Sequence, residues 1–197
     1  MGVHRTARDR MVSSAAILFR ERGVEATSLA DVIEHAQAPR GSIYHHFPEG
    51  KPQLVAEATH LAGGLIGAVI SNGLADAGPA ATVESMVGLF RRQLIDTDYA
   101  AGCPVAAGAL GGVPYPAGRI AAGEAFTSWE ATISASLWQR GVSMPRAQSL
   151  ATMIIAAVEG ALVLSIAQRS TQALDRIAGE LVALTNATIS DATRTTR

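Results

Sequence analysis

The run TSLADVIEHAQAPRGSIYHHF, Thr27 to Phe47, leaves little choice of local structure. Ser28, with Asp31 three residues on, forms a capping pair that uses aspartate where glutamate is usual. Behind that cap Leu29, Val32, Ile33 and Ala36 repeat at helical spacing, which predicts a short helix with one buried face. Pro39 drives the residue before it out of helical geometry and suits the first turn of a new helix. PRGSIYHHF therefore predicts a further helix of about three turns over residues 39–47. On it Arg40 and Tyr44 are four apart, as are Gly41 and His45, so these four share one face, while Ile43 and Phe47 share another that can be buried. Two short helices joined by a tight turn, the second with a polar and aromatic face, make a helix-turn-helix, whose second helix enters the DNA major groove.

The flanks support that unit. Over residues 5–22, Val12, Ala15, Ala16 and Phe19, with Met11 and Leu18 beside them, predict an amphipathic first helix, and Gly23 predicts its end. Gly50 and Pro52 mark the next boundary, after which a fourth helix is expected from Lys51 to about Asn72. Further helices are expected near 82–95, 104–110, 117–140, 145–169 and 173–191, separated by Gly- and Pro-bearing breaks. The fold class is all-α. A DNA-binding domain is expected over 1–50, followed by a larger domain over 51–197 whose expected roles, effector binding and dimerisation, rest on the patterns given below.

Charge and cysteine usage bound the chemistry. Sixteen cations and seventeen carboxylates leave a formal charge of −1, so contact with a polyanion has to be local. One cysteine, Cys103, excludes an internal disulfide framework and fits a reducing compartment. The N-terminus lacks the apolar stretch of a signal peptide, and the run Met153–Ala167, interrupted by Glu159 and Gly160, is too short to span a bilayer. A cytoplasmic protein without a membrane partner is expected.

The run TSLADVIEHAQAPRGSIYHHFPEGKPQL resembles the N-terminal signature of the TetR family of bacterial regulators, with Tyr44, His46, Phe47 and Lys51 at its most diagnostic positions. The FPEGK variant and the segment GCPVAA, Gly102 to Ala107, are similar to the LmrA/YxaF-like branch. Two positions depart from the pattern: Gln37 stands where the family usually has glycine, and Pro39 where it has serine or threonine. The resemblance implies a TetR-like fold of about nine helices. It implies base contacts from Arg40 and Gly41, and phosphate contacts from Thr27 or Ser28, Ser42, Tyr44, His45 and Lys51. His46 matches a position that either touches phosphate or packs.

Other chemistry is poorly provided for. His45 and His46 point about 100° apart on a helix, so they make a poor metal pair. No histidine follows His60 to activate Cys103, so no catalytic group and no cofactor is expected. Thr27 or Ser28 could equally be a pure helix cap, and Arg5, Arg8 and Arg10 could form a phosphate-touching arm, although a solvated helix face is the better reading for at least two of them.

Aromatics are scarce, yet Phe90, Phe126, Trp129 and Trp138 cluster in the larger part of the chain. Met86, Phe90, Leu94, Leu110, Tyr115, Phe126, Trp129 and Met153 are the candidate lining of a cavity for a small hydrophobic or aromatic effector. A helix-turn-helix binds half-sites as a dimer, and the last two helices are the candidate homodimer face, through Ile154, Ala157, Gly160, Ala161, Leu164, Leu181 and Leu184. The expected partners are thus a double-stranded DNA operator, a second copy and the effector, with repression relieved by the effector as the leading reading. A DNA-binding regulator without an effector is the alternative, and a helical enzyme with a vestigial helix-turn-helix a remote one.

Overall fold

The computed structural model describes residues 6–39 and 41–195, and among these every regular element is helical. The helices are α1 (Ala7–Arg22), α2 (Leu29–His35), α3 (Ile43–His46), α4 (Lys51–Asp76), α5 (Gly78–Asp96), α6 (Pro104–Ala109), α7 (Pro116–Trp138), α8 (Met144–Gln168) and α9 (Gln172–Thr195). Local signals set most of the ends. Thr6 with Asp9, and Ser28 with Asp31, form capping boxes in front of α1 and α2. Prolines occupy the first turns of α5, α6 and α8, where the missing N–H is no loss. Gly23, at φ 82°, closes α1 by donating its N–H to the Phe19 carbonyl.

The chain forms two compact units. The first holds residues 1–64 and 101–125, the second 65–100 and 126–197, so α4 and α7 each pass from one unit into the other. This division differs from a cut at residue 50, because α6 and the start of α7 pack with the N-terminal helices. In the first unit Met11, Ala15, Leu18 and Phe19 of α1 meet Val32, Ile43, Phe47, Leu54 and Val55 in one apolar core. The segment around Cys103, itself buried, is tied to α1 by the Gly102 N–H, which donates to the Arg20 carbonyl at 2.8 Å.

Glycines set how closely α4 is approached in this unit. A β-carbon on Gly118 would come within 2.5 Å of Val55, and one on Gly63 within 2.8 Å of Ala125. One on Gly108 would collide with the Thr59 side chain. Val55, Thr59 and Gly63 recur every fourth residue, so a single line along α4 is packed backbone-close against α6 and α7.

The second unit is built on α5, α8 and α9, which pack on one another. Phe90 and Leu94 of α5, Leu150 and Ile154 of α8 and Leu181 of α9 are buried in it. An Arg91–Asp175 ion pair joins α5 to α9, and Arg169, left-handed at φ 48°, ends α8 while pairing with Asp98 at 2.7 Å. By length and composition α4 and α8 could each cross a bilayer, and 44% of the apolar stretch in each is buried in the fold. The apolar run beginning at Met153 therefore belongs to a longer helix than that run alone indicates. Its outer side carries Met153, Ala156, Gly160, Val163, Leu164 and Ala167, with Val163 65% and Leu164 50% exposed.

Candidate nucleic-acid interface

Three helices present the interface, and α1 carries the other two. Arg10 Nε donates to the Ala36 carbonyl at 3.1 Å, closing the C-terminal end of α2, and His35 Nδ1 meets Ser14 Oγ at 2.9 Å. Arg8 pairs with Glu57 of α4 at 2.6 Å and lies over the Phe47 ring. Arg8 and Arg10 thus hold the unit together instead of forming a solvated face. Arg5 lies outside the described residues.

The start of α2 separates the two capping candidates. Ser28 is exposed; its Oγ accepts from the Asp31 N–H at 3.1 Å and its own N–H donates to the Asp31 carboxylate at 2.7 Å. The Ser28 hydroxyl, its backbone N–H and, more weakly, the charges of Arg22 and Lys51 hold the Asp31 carboxyl below its ordinary value. A depressed pKa places this contribution to stability above the ordinary carboxylate range, and it is lost as pH falls through that range. Thr27 is fully buried, and its hydroxyl donates to the Gly23 carbonyl at 2.8 Å. Its side chain is therefore withdrawn from any phosphate, which corrects the expectation of a Thr27 contact.

The turn between α2 and α3 passes through Gln37, where the family usually has glycine. Gln37 takes a left-handed φ of 50°, the conformation that glycine adopts without penalty. Gln37→Gly should raise stability by about 0.5–1 kcal/mol, read as a higher thermal midpoint at unchanged fold. An unchanged or lower midpoint would contradict strain at this residue.

Residues 39–47 do not form three helical turns. The Pro39 carbonyl accepts both the Ser42 N–H at 3.0 Å and the Ser42 Oγ–H at 2.7 Å, so the chain makes a turn there and α3 covers only Ile43–His46. Arg40 lies outside the described residues. Gly41 precedes the helix and is exposed; a β-carbon placed on it would meet nothing within 4 Å. Tyr44 is 68% exposed and His45 is exposed, whereas Ile43 and Phe47 are buried beneath them. His46 is half-buried, with its ring edge-on to Phe47 at 6.4 Å. Lys51, half-buried at the start of α4, donates to the Glu25 carbonyl at 3.3 Å.

The other candidates distribute unevenly. Met86, Phe90, Leu94 and Trp129 are buried in the second unit, where Phe126 meets Trp129 edge-on at 5.2 Å. Met153 is partly exposed on α8. Leu110 and Tyr115 belong to the first unit; Leu110 is 84% exposed, and Tyr115 lies against Lys51. Among the dimer candidates Gly160 and Leu164 are exposed, and Ala157 and Leu184 are half-buried. Ile154, Ala161 and Leu181 are buried within their own unit, so they offer no surface to a second copy and correct that part of the expectation.

A capped helix, a left-handed turn and a short exposed helix on an apolar three-helix core define a helix-turn-helix DNA-binding unit. Two family profiles match the chain: "Bacterial regulatory proteins, tetR family" over residues 12–58 and "Transcriptional regulator LmrA/YxaF-like, C-terminal domain" over residues 79–180. The HTH-type transcriptional regulator Rv0196 of Mycobacterium tuberculosis is 37% identical over 180 residues, 88% of this chain and 91% of the relative. The HTH-type transcriptional regulator LmrA of Bacillus subtilis is 31% identical over 173 residues, 85% and 90% of the two chains. The crystal structure of a TetR transcriptional regulator from Legionella pneumophila shares the fold at a TM-score of 0.78 and 21% identity, covering 92% of this chain and 97% of that one. The chain belongs to the TetR family of DNA-binding transcriptional regulators, with a C-terminal domain of the LmrA/YxaF-like type, and is not an enzyme.

Proposed function

We propose that this regulator binds its operator as a homodimer in the cytoplasm, represses from it, and is released by a small hydrophobic or aromatic molecule. The observation that carries the DNA contact is the exposure of Gly41, Tyr44 and His45 above the buried pair Ile43 and Phe47. Arg40 and Gly41 are assigned to base edges, the first through a bidentate pair with guanine and the second by letting the backbone come close. Ser28, Ser42, Tyr44, His45 and Lys51 are assigned to phosphate, which fixes register without reading sequence.

The dimer is supported by the outer side of α8. A continuous apolar strip of this kind, with Gly160 open to close approach, suits a partner helix better than water. On α9 Gly179, Ala183 and Ala187 are exposed at four-residue spacing and extend the same small-residue character. The effector is supported by the buried Met86 and Phe90 of α5 and by the Phe126–Trp129 ring pair of α7, all in the second unit. Such a ligand has to bind the DNA-free state more tightly, since equal affinity for both states shifts nothing.

Selection of duplexes from random-sequence DNA by the purified protein tests the first claim. Tyr44→Ala and His45→Ala should each weaken binding to the selected duplex by about tenfold across a dimer, with thermal stability unchanged. Failure to select any duplex, or variants that bind as tightly as the parent, would remove the contact assignment. An apolar compound library that never moves the binding curve would remove the effector.

A further inference from the structure

We propose that Tyr115 is a positioning residue for DNA binding that acts through Lys51, an inference that rests on reading Lys51 as a phosphate contact. The Lys51 ammonium stands 5.0 Å from the centroid of the Tyr115 ring while donating to the Glu25 carbonyl at 3.3 Å. The Tyr115 ring ends a piece of chain, residues 110–115 between α6 and α7, that runs beside Glu25. A β-carbon on Gly111 would lie 3.4 Å from the Val24 side chain. One on Gly112, at φ 79°, would lie 3.5 Å from the Glu25 carboxylate. The Tyr115 N–H donates to the Gly112 carbonyl at 3.2 Å and closes the turn that delivers the ring. This connection is therefore seated on the turn between α1 and α2, and its tyrosine lies under the lysine that opens α4.

The chemistry follows from the charge. A lysine has a flexible stem, and fixing it on a phosphate loses rotamer freedom. The ammonium has three donors. The Glu25 carbonyl takes one, and the ring stabilises the charge through its π-face without accepting a directed hydrogen bond, so donors remain for a phosphate oxygen. The ring thus pre-orders the cation, and a residue outside the helix-turn-helix sets affinity for duplexes in general without changing which sequence is preferred.

Binding of the full-length protein to its selected duplex, measured over a series of salt concentrations, tests this with the parent and four variants. Lys51→Ala should flatten the dependence of log K on log salt by about one unit per subunit. Tyr115→Leu, which keeps an apolar side chain but loses the ring, should weaken binding roughly five- to thirtyfold across a dimer and flatten the same slope. Tyr115→Phe, which keeps the ring, should match the parent. In the Lys51→Ala background Tyr115→Leu should have no further effect. If Lys51→Ala leaves the slope unchanged, the phosphate contact fails and this inference with it. If Lys51→Ala flattens the slope but Tyr115→Leu does not, or if Tyr115→Leu weakens both backgrounds equally, Tyr115 has no positioning role and the Lys51 contact stands.

Discussion

Phe47→Ala should destabilise the protein by about 3–5 kcal/mol and abolish operator binding. Phe47 is fully buried where α3 ends, with the Arg8 guanidinium 5.4 Å from its ring centroid and Ile43 buried beside it. A helix of four residues cannot persist on its own hydrogen bonds, so its position depends on these two anchors. Removing the larger one leaves a cavity and exposes α3 to fraying. The measurement is a thermal midpoint lowered on the order of 10 °C, together with loss of duplex binding. The comparison with Tyr44→Ala is decisive, because that exposed side chain should affect binding with the midpoint unchanged. A Phe47→Ala protein that melted like the parent would show that α3 is held by something other than its buried residues.

Replacing Val163 and Leu164 together with glutamate should convert the proposed dimer into a monomer and lower operator affinity by at least about a hundredfold, through loss of the linked second half-site. Both side chains lie on the outer side of α8, so the folded subunit tolerates charge there while a packed helix pair does not. Sedimentation at working concentration reads the assembly directly. Ile95→Glu serves as the control, since Ile95 is an exposed apolar residue on a different helix, α5. A double-glutamate protein that still sediments as a dimer would place the interface elsewhere, and a dimer lost equally in the control would point to non-specific repulsion.

Some helix ends were readable from short-range signals, although Gly78 and Pro79 begin α5 ahead of the expected residue 82. The Ser28–Asp31 pair, Gly23 and Pro145 act within one turn of chain, and each sits at a helix end in the structure. The length of α3 was not readable, because Pro39 is as good at starting a helix as at making a turn. The outcome depends on its carbonyl capturing two donors from Ser42. Thr27 and Ser28 look alike as residue types, but only Ser28 is three residues before Asp31, and that spacing separates the cap from the buried neighbour.

The register of α8 failed for a different reason. A helix apolar on every side has no periodic signal to say which side faces its own core, so Ile154 and Ala161 could not be told from Met153 and Gly160. The partners of Arg8, Arg10 and Lys51 are far apart in the sequence, and no spacing rule reaches them.

The glycine-close line along α4 restricts how that helix can move. A rod meshed backbone-to-side-chain at Val55, Thr59 and Gly63 cannot roll about its own axis, since a roll of one residue, about 100°, would drive larger neighbours such as Leu54 into slots that fit nothing bulkier. Within its unit, then, the front half of α4 is keyed to α6 and the start of α7 as a single piece, with Lys51 at its tip.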